Sequence, residues 1–318
     1  METGEERGKR KMFIKNFEEL KEAVVKLEPM RVVVAAAEDE RVIGGIRLAK
    51  ELGIVKYPIL TGESKKIKEI IKSLEEDVNE YDIRETSDDS EAARLAVSAI
   101  NDGEAKILVK GRLETVYYLK AILDKENGIK FSEVLSNLTM FEMESYHKFI
   151  AVTDNAIIPF PALLEKKVII ENTKLLWTSL GIEKPKVAAL AAIELVNPKM
   201  EATVDAACLV KMAERGQIKG FSVDGPLSYD TAISLTCAQG KHVTNSLVAG
   251  DPDLLLLPNL EAANILGKSY KFHGKAKSGG LVLGAKVPVV LNSRSDSSER
   301  RLNSILMARA IAEGRIII

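Results

Sequence analysis

Short runs of apolar, often β-branched residues alternate along the whole chain with stretches of helical periodicity, and this alternation limits the fold more than any other feature. Phe17, Leu20, Val24 and Leu27 recur at helical spacing, and Arg31-Val-Val-Val-Ala-Ala-Ala follows as a buried-strand run. The same reading predicts helices over 40–52, from about 64 and over 91–100, with strands over 57–60, near Tyr81 and over 107–109. From Phe149 the pattern resumes with a strand at 150–152, a long helix over 162–180, a strand over 187–190 and a helix over 198–215. Further strands fit 218–223, 254–257, 281–283 and 287–291. Helices fit 229–239 and 261–270, and a last one carries Leu302, Ile305, Leu306 and Ala310. A strand that returns parallel to its predecessor needs a crossover helix, so this order implies an α/β fold with mostly parallel sheets.

A chain of 318 residues, 46% hydrophobic, exceeds the size at which one core usually stops growing, so two domains are expected. No fixed-period repeat and no low-complexity linker marks the division, which is placed in a connection between Phe131 and Phe149. The 45 basic and 46 acidic residues nearly cancel, which leaves no basic surplus to recruit nucleic acid. Cys208 and Cys237 lack CxxC spacing and fit neither a disulfide framework nor a zinc site, so a reducing cytoplasm is the expected location. Residues 1–11 read as a frayed polar tail without a signal sequence, and the longest apolar runs, such as 254–257, are too short to cross a bilayer.

The segment Pro288-Val-Val-Leu-Asn-Ser-Arg-Ser-Asp-Ser-Ser-Glu-Arg-Arg-Leu delivers polar residues from a buried strand directly onto a helix start. Ligands bind at such strand ends in parallel sheets. Free N–H groups near Ser297 and Ser298 favour an anion, and Arg294 can grip a phosphate or acyl phosphate with two parallel hydrogen bonds. The competing reading is a capping box in which Asp296 accepts from the backbone of Glu299 and Glu299 reaches back. Ser293 and Arg294 precede any cap and are the candidates for chemistry.

Other patterns resolve into ordinary structure. Gly267-Lys268-Ser269 lacks the earlier glycine of a P-loop, since Ala262 stands there, and Gly279, Gly280 and Gly284 miss the dinucleotide-binding spacing. His147, His242 and His273 have no partners at metal-ligand intervals, and Asp251-Pro252-Asp253 reads as a turn entering a strand, so no metal is expected. Val223-Asp-Gly-Pro-Leu reads as a tight strand-to-helix turn that leaves Asp224 free to face a cleft. Asn259 is the expected N-cap of the next helix with Asn264 one turn on, and either is a candidate donor to a ligand.

Val223-Asp-Gly-Pro-Leu, Pro258-Asn-Leu-Glu-Ala-Ala-Asn-Ile and Leu291-Asn-Ser-Arg-Ser-Asp-Ser together resemble the phosphate acetyl/butyryltransferase family in content, order and separation. The likeness extends upstream through Ala37-Glu-Asp-Glu-Arg, Lys110-Gly-Arg-Leu-Glu-Thr, Lys184-Pro-Lys-Val and Asn197-Pro-Lys-Met, and it is nearer the butyryl branch than the acetyl one. The resemblance implies a two-domain fold similar to isocitrate and isopropylmalate dehydrogenases, with the active site in the interdomain cleft. One domain would comprise residues 1–138 plus 287–318. The other, 139–286, would make the contact of a homodimer or higher oligomer.

The implied reaction converts acyl-CoA and inorganic phosphate to acyl phosphate and free coenzyme A in a ternary complex, without a covalent acyl-enzyme, a metal or a permanently bound cofactor. Ser293, Arg294, Asp296 and Glu299 take the catalytic roles in this reading, and Lys110, Thr115, Asp224, Asn259, Asn264 and Ser295 bind substrate. Two departures stand out. Acetyl members carry their proposed base, an aspartate, where Arg300 stands, which leaves Asp296 and Glu299 as the nearest carboxylates. Ala263 replaces a usual glycine. The alternatives are a phosphate acetyltransferase, a metal- and NAD(P)-dependent decarboxylating dehydrogenase of the same fold, and a noncatalytic coenzyme A-binding protein.

Overall fold

The computed structural model describes residues 13–314, so the expected tail at 1–11 lies outside the described residues. In chain order the elements are α1 (Phe17–Val24), β1 (Val32–Ala35), α2 (Glu40–Glu51), β2 (Ile59–Gly62), α3 (Ser64–Ser73), β3 (Asp82–Glu85), α4 (Asp89–Asn101), β4 (Ile107–Lys110), α5 (Thr115–Ile122), β5 (Ser136–Glu142), β6 (Ile150–Thr153), α6 (Leu163–Asn172), α7 (Lys174–Ser179), β7 (Lys186–Leu190), α8 (Glu201–Glu214), β8 (Ser222–Leu227), α9 (Tyr229–Ile233), α10 (Leu235–Gly240), β9 (Leu254–Leu256), α11 (Leu260–Phe272), β10 (Lys277–Leu283), β11 (Val289–Val290) and α12 (Ser298–Glu313).

Among the described residues eleven strands form one sheet, in the order β3-β2-β1-β4-β11-β10-β5-β6-β9-β7-β8. The two flanks are parallel, as the alternation predicts, whereas β5 runs antiparallel to both β10 and β6, and β10 antiparallel to β11. The parallel flanks are apolar on both faces because helices cover both. In β1, Val32 and Val34 face the core under α1, α2, α3 and α12, while Val33 and Ala35 face the opposite core under α4 and α5. On the second flank α6, α7 and α8 pack on the first side, and α9, α10 and α11 cover a third apolar cluster.

Four sequence expectations change. The stretch between Phe131 and Phe149 contains a full strand, β5. Its alternation was masked because one face, Leu138 and Met140, enters the core while the other presents Asn137 and Thr139 to a polar cavity. The Asp-Gly-Pro-Leu stretch continues β8 instead of turning, with a register shift opposite Ala188 and Leu190. The helix over 162–180 divides at Thr173, and the helix over 229–239 divides at Ser234, which caps α10 by accepting from Cys237 N. Gly279 lets α12 lie directly on β10, since a Cβ there would meet Met307 Sδ at 2.8 Å and the Asn303 carbonyl carbon at 3.0 Å. No helix among the described residues is long and apolar enough to cross a membrane.

Candidate active site

β4 and β11 lie side by side and parallel, Leu108 opposite Val289 and Val109 opposite Val290, so their carboxyl ends release two chain segments at one place. The first carries Lys110 and then Gly111, where a Cβ would stand 2.0 Å from the Ala36 carbonyl oxygen, so only glycine allows this approach to the end of β1. The second carries Leu291 to Asp296. Between them and α11 lies a cavity of 420 Å³, floored by the antiparallel centre of the sheet through Asn137, Thr139, Ser278 and Gly280.

The cavity brings together Lys110, Thr115, Asn264, Ser293, Arg294 and Asp296 from the sequence-derived set. Thr115 opens α5, and Asn264 donates to the Asn155 carbonyl at 3.0 Å. Ser293 and Arg294 are exposed at the rim. Ser295 is exposed, within 3.1 Å of the Ser293 hydroxyl, but does not line the cavity. Glu299 sits in the exposed first turn of α12, also outside it, with its carboxyl held below the ordinary value by the Ser297 hydroxyl. Asn259 caps α11 as expected, accepting from Ala262 N at 2.9 Å, and is not among the lining residues. Asp224 borders a different groove, of 310 Å³, with Lys184, Phe221 and Ser246.

Asp296 is neither the helix cap nor free. Ser297 is the N-cap of α12, accepting from Arg300 N at 3.4 Å. The Asp296 carboxylate accepts from Lys271 Nζ at 3.0 and 3.3 Å, from Ser293 N at 2.9 Å and from Asn292 Nδ2 at 3.3 Å, with Arg300 at 3.7 Å. Burial pushes its pKa up, but Lys271 and the backbone and amide donors outweigh it and hold the carboxyl below its ordinary value. Asp296 N in turn donates to the Ser293 carbonyl at 3.0 Å, and the buried Arg301 donates to the same oxygen at 3.2 Å. The turn that presents Ser293 and Arg294 is therefore fixed from inside by charge.

Lys110 is only 3% exposed. Its ammonium donates to the Leu113 carbonyl and, at 3.4 Å, to that of Gly111. Burial, then the positive charges of Arg294 and Arg301, push its pKa down to about 8.

Sequence reasoning missed Lys268, Lys271, Asn137, Thr139, Asn155 and Asn292, all of which line the cavity. One signal was available. Asn264, Lys268 and Lys271 recur at helical spacing and put a polar stripe on the face of α11 next to the Asn259 cap. Asn292 Oδ1 is buried without a partner among the described residues. Its amide orientation is nonetheless set, because turning it over would aim an oxygen at Asp296.

Residues 89–309 match the family described as phosphate acetyl/butaryl transferase. The chain is 40% identical over 298 residues to the phosphate butyryltransferase of Clostridium beijerinckii, an alignment that spans 94% of this chain and 98% of that protein. A crystal structure of a branched-chain phosphotransacylase from Enterococcus faecalis V583 superposes with a TM-score of 0.79 at 31% identity, covering 90% of this chain and 100% of that one. A 4-hydroxythreonine-4-phosphate dehydrogenase from Klebsiella pneumoniae shares the fold alone, at 13% identity and a TM-score of 0.50 over 90% of this chain and 100% of that one.

Proposed function

The chain belongs to the phosphate acetyl/butaryl transferase family, and on that premise we propose that it moves a short-chain acyl group, butyryl by preference over acetyl, between coenzyme A and inorganic phosphate. The observation that carries this reading is the charge around the cavity. Lys268, Lys271 and Arg294 line it, with the buried amine of Lys110, against one carboxylate among the described residues, Asp296, so two anionic substrates have compensation that Asp296 alone cannot cancel. Arg294 grips the phosphate with two N–H donors, and the Ser293 hydroxyl stabilises the oxygen that becomes an oxyanion as the carbonyl turns tetrahedral. Cys208 and Cys237 stand outside the cavity lining, consistent with direct transfer in a ternary complex.

Coenzyme A is a substrate in this scheme, held by polar groups of the cavity, Thr115 and Asn264 among them. Leu291, Ala156 and Gly280 form the small apolar wall for the acyl chain. Asp296 and Glu299 serve as positioning residues in this scheme, the first because its oxygens are already engaged and the second because it stands outside the cavity. The dehydrogenase reading is not favoured, since that likeness is one of fold alone.

We assign residues 1–138 plus 287–318 to one lobe and 139–286 to the other, the second making the contact of a homodimer. The parallel pairing of β11 with β4, which returns the end of the chain to its first half, supports the division. A cytoplasmic location, where acyl-CoA and phosphate meet, completes the reading.

The test is release of free thiol from acetyl-, butyryl- and longer acyl-CoA with and without phosphate, the acyl phosphate being trapped as its hydroxamate. Thiol should appear only with phosphate, and Arg294→Ala should lower kcat by about 10²- to 10³-fold. Thiol released equally fast without phosphate would make the protein a thioesterase.

A further inference from the structure

Transfer between a thiol and a phosphate has to move one proton, and the residues that the family pattern offers for the task do not serve here. Arg300 puts a guanidinium, a donor without an acceptor lone pair, where the acetyl members carry an aspartate. Asp296 has its oxygens occupied by Lys271, Asn292 and Ser293 N, and Glu299 lies outside the cavity. No histidine lines it. Three amines remain. Lys268 is exposed and Lys271 is paired with Asp296, whereas Lys110 is buried and, among the described residues, has no carboxylate in ion-pair range.

Resting on the transferase reading above, we propose that Lys110 is the proton-transfer group of the reaction, exchanging one proton between the coenzyme A sulfur and the phosphate oxygen.

Three features of its setting support the role. The side chain leaves the carboxyl end of β4 and lines the same cavity as Ser293 and Arg294, the residues proposed to hold the reacting carbonyl and the phosphate. The Leu113 and Gly111 carbonyls accept two of its N–H groups. In the neutral amine these are the only two hydrogens, and the lone pair is left for a substrate; in the ammonium, the third hydrogen occupies that direction.

The surrounding charges favour release of that proton. Burial comes first, then Arg294 from the loop before α12 and Arg301 from α12 itself, while Asp89 at the start of α4 and Asp39 at the cap of α2 oppose them more weakly. Tyr118 of α5 spends its hydroxyl on the Leu108 and Val290 carbonyls, and the Lys271–Asp296 pair across the cavity is neutral overall. The amine therefore titrates near the ordinary thiol value of about 8.5, where a proton moves between the two with little cost.

In the thioester-forming direction, neutral Lys110 takes the S–H proton. The thiolate attacks the acyl phosphate carbonyl, the carbon–sulfur bond forms and the carbon–oxygen bond to phosphate breaks. Lys110 then gives the proton to the departing oxygen, so that acyl phosphate dianion and thiol become thioester and hydrogen phosphate dianion, with no net proton change. The reverse direction uses the same neutral amine, first on hydrogen phosphate and then on the leaving thiolate.

The experiment compares the full-length protein with Lys110→Ala and Lys110→Arg in both directions. For Lys110→Ala we expect kcat to fall by about 10²- to 10⁴-fold with KM for coenzyme A little changed, and added methylamine or ethylamine to restore rate to this variant but not to wild type. Lys110→Arg should be as slow as the alanine variant, because its guanidinium keeps the charge and cannot shed the proton. An arginine variant near wild-type rate, or an alanine variant that keeps its kcat, would reduce Lys110 to a charge or to packing and overturn the inference.

Should neither variant fold, pH-dependent trinitrophenylation of Lys110 in wild type, read by peptide mass spectrometry and blocked by coenzyme A, decides the matter. A midpoint near 8 supports the role and one near the ordinary lysine value of about 10.4 ends it. Wild type without phosphate-dependent thiol release would end the transferase reading and this inference with it. An active wild type with an active arginine variant would end only the inference.

Discussion

Replacing Lys271 by Met removes the main partner of a carboxylate that is 4% exposed while keeping the length and apolar stem of the side chain. At 3.0 Å the two charges attract by about 5 kcal/mol in an effective dielectric of about 20, and desolvation returns most of that. Removing one partner is costlier than the net value of the pair, about 3–5 kcal/mol for a fully buried case, because the other charge is left behind. Lys271 is 18% exposed, and Asp296 keeps Ser293 N, Asn292 and the more distant Arg300, so the low end applies, about 2–3 kcal/mol. In a chain of 318 residues that is a fall in Tm of roughly 4 °C by scanning calorimetry.

The pH dependence has a definite sign. The folded-state pKa of Asp296 is depressed, so its contribution is present above the ordinary carboxylate value and lost as pH falls through the folded one. In Lys271→Met the burial contribution is less opposed and the carboxyl moves up towards its ordinary value, so the contribution is smaller and is exhausted at a higher pH on acidification. Kinetics separate positioning from base catalysis. If Asp296 anchors the Ser293 turn, Lys271→Met and Asp296→Asn both lower kcat and the double variant falls little further than the worse single. If Lys271→Met kept or raised kcat while Asp296→Asn abolished it, Asp296 would be the base and the reasoning here would be refuted. An unchanged Tm would equally refute the energetic argument.

Two other perturbations follow from geometry. Gly111→Ala would place a Cβ 2.0 Å from the Ala36 oxygen and 2.5 Å from that of Ala35, both backbone atoms, so a loss above about 3 kcal/mol or outright insolubility is expected in urea denaturation, whereas Gly240→Ala, with nothing within 4 Å, should leave the midpoint close to wild type. Burial raises the pKa of Asp251, but Lys186 at 2.6 Å and Lys148 at 2.9 Å outweigh it and keep the carboxyl below its ordinary value, so the stability it lends is present above about pH 4 and lost on acidification; Asp251→Asn should flatten the fall in denaturation midpoint between neutral and acid pH.

The sequence was most legible where burial is two-sided. β1, β4 and β9 are continuous apolar runs because helices cover both faces, and such runs announce themselves without a partner. β5 was hidden for the opposite reason: its alternation of Leu and Met with Asn and Thr looks like a surface connection until the polar face is known to line a cavity. The apolar part of β10 was visible, but its Ser-Gly-Gly start was not, because Gly279, which lets α12 approach, and Gly280, which lets the Leu291 carbonyl approach, also remove the side chains by which a strand is recognised. Lys271 escaped for a physical reason as well. A lysine on a mixed helix reads as solvated, and only the fold brings it within 3.0 Å of a carboxylate 25 positions later.

The segment most informative in sequence, Leu291 to Arg301, supported a structural and a functional reading at once, and the geometry shows why neither excludes the other. β11 is not an edge strand; it sits between β4 and β10 and closes the centre of the sheet. The residues that follow it must therefore leave the sheet where β4 ends, beside Lys110, before α12 turns back across β10. A charge placed in that bend is buried by the act of completing the fold, and Asp296 and Arg301, both buried, tie the bend down through Ser293. What remains unburied along the cavity lining of this bend is Ser293 and Arg294, the side chains to which the proposed reaction assigns the oxyanion and the phosphate. The helix start and the turn proposed as catalytic are thus one structure: the inward residues hold it, and holding it is what presents the outward ones.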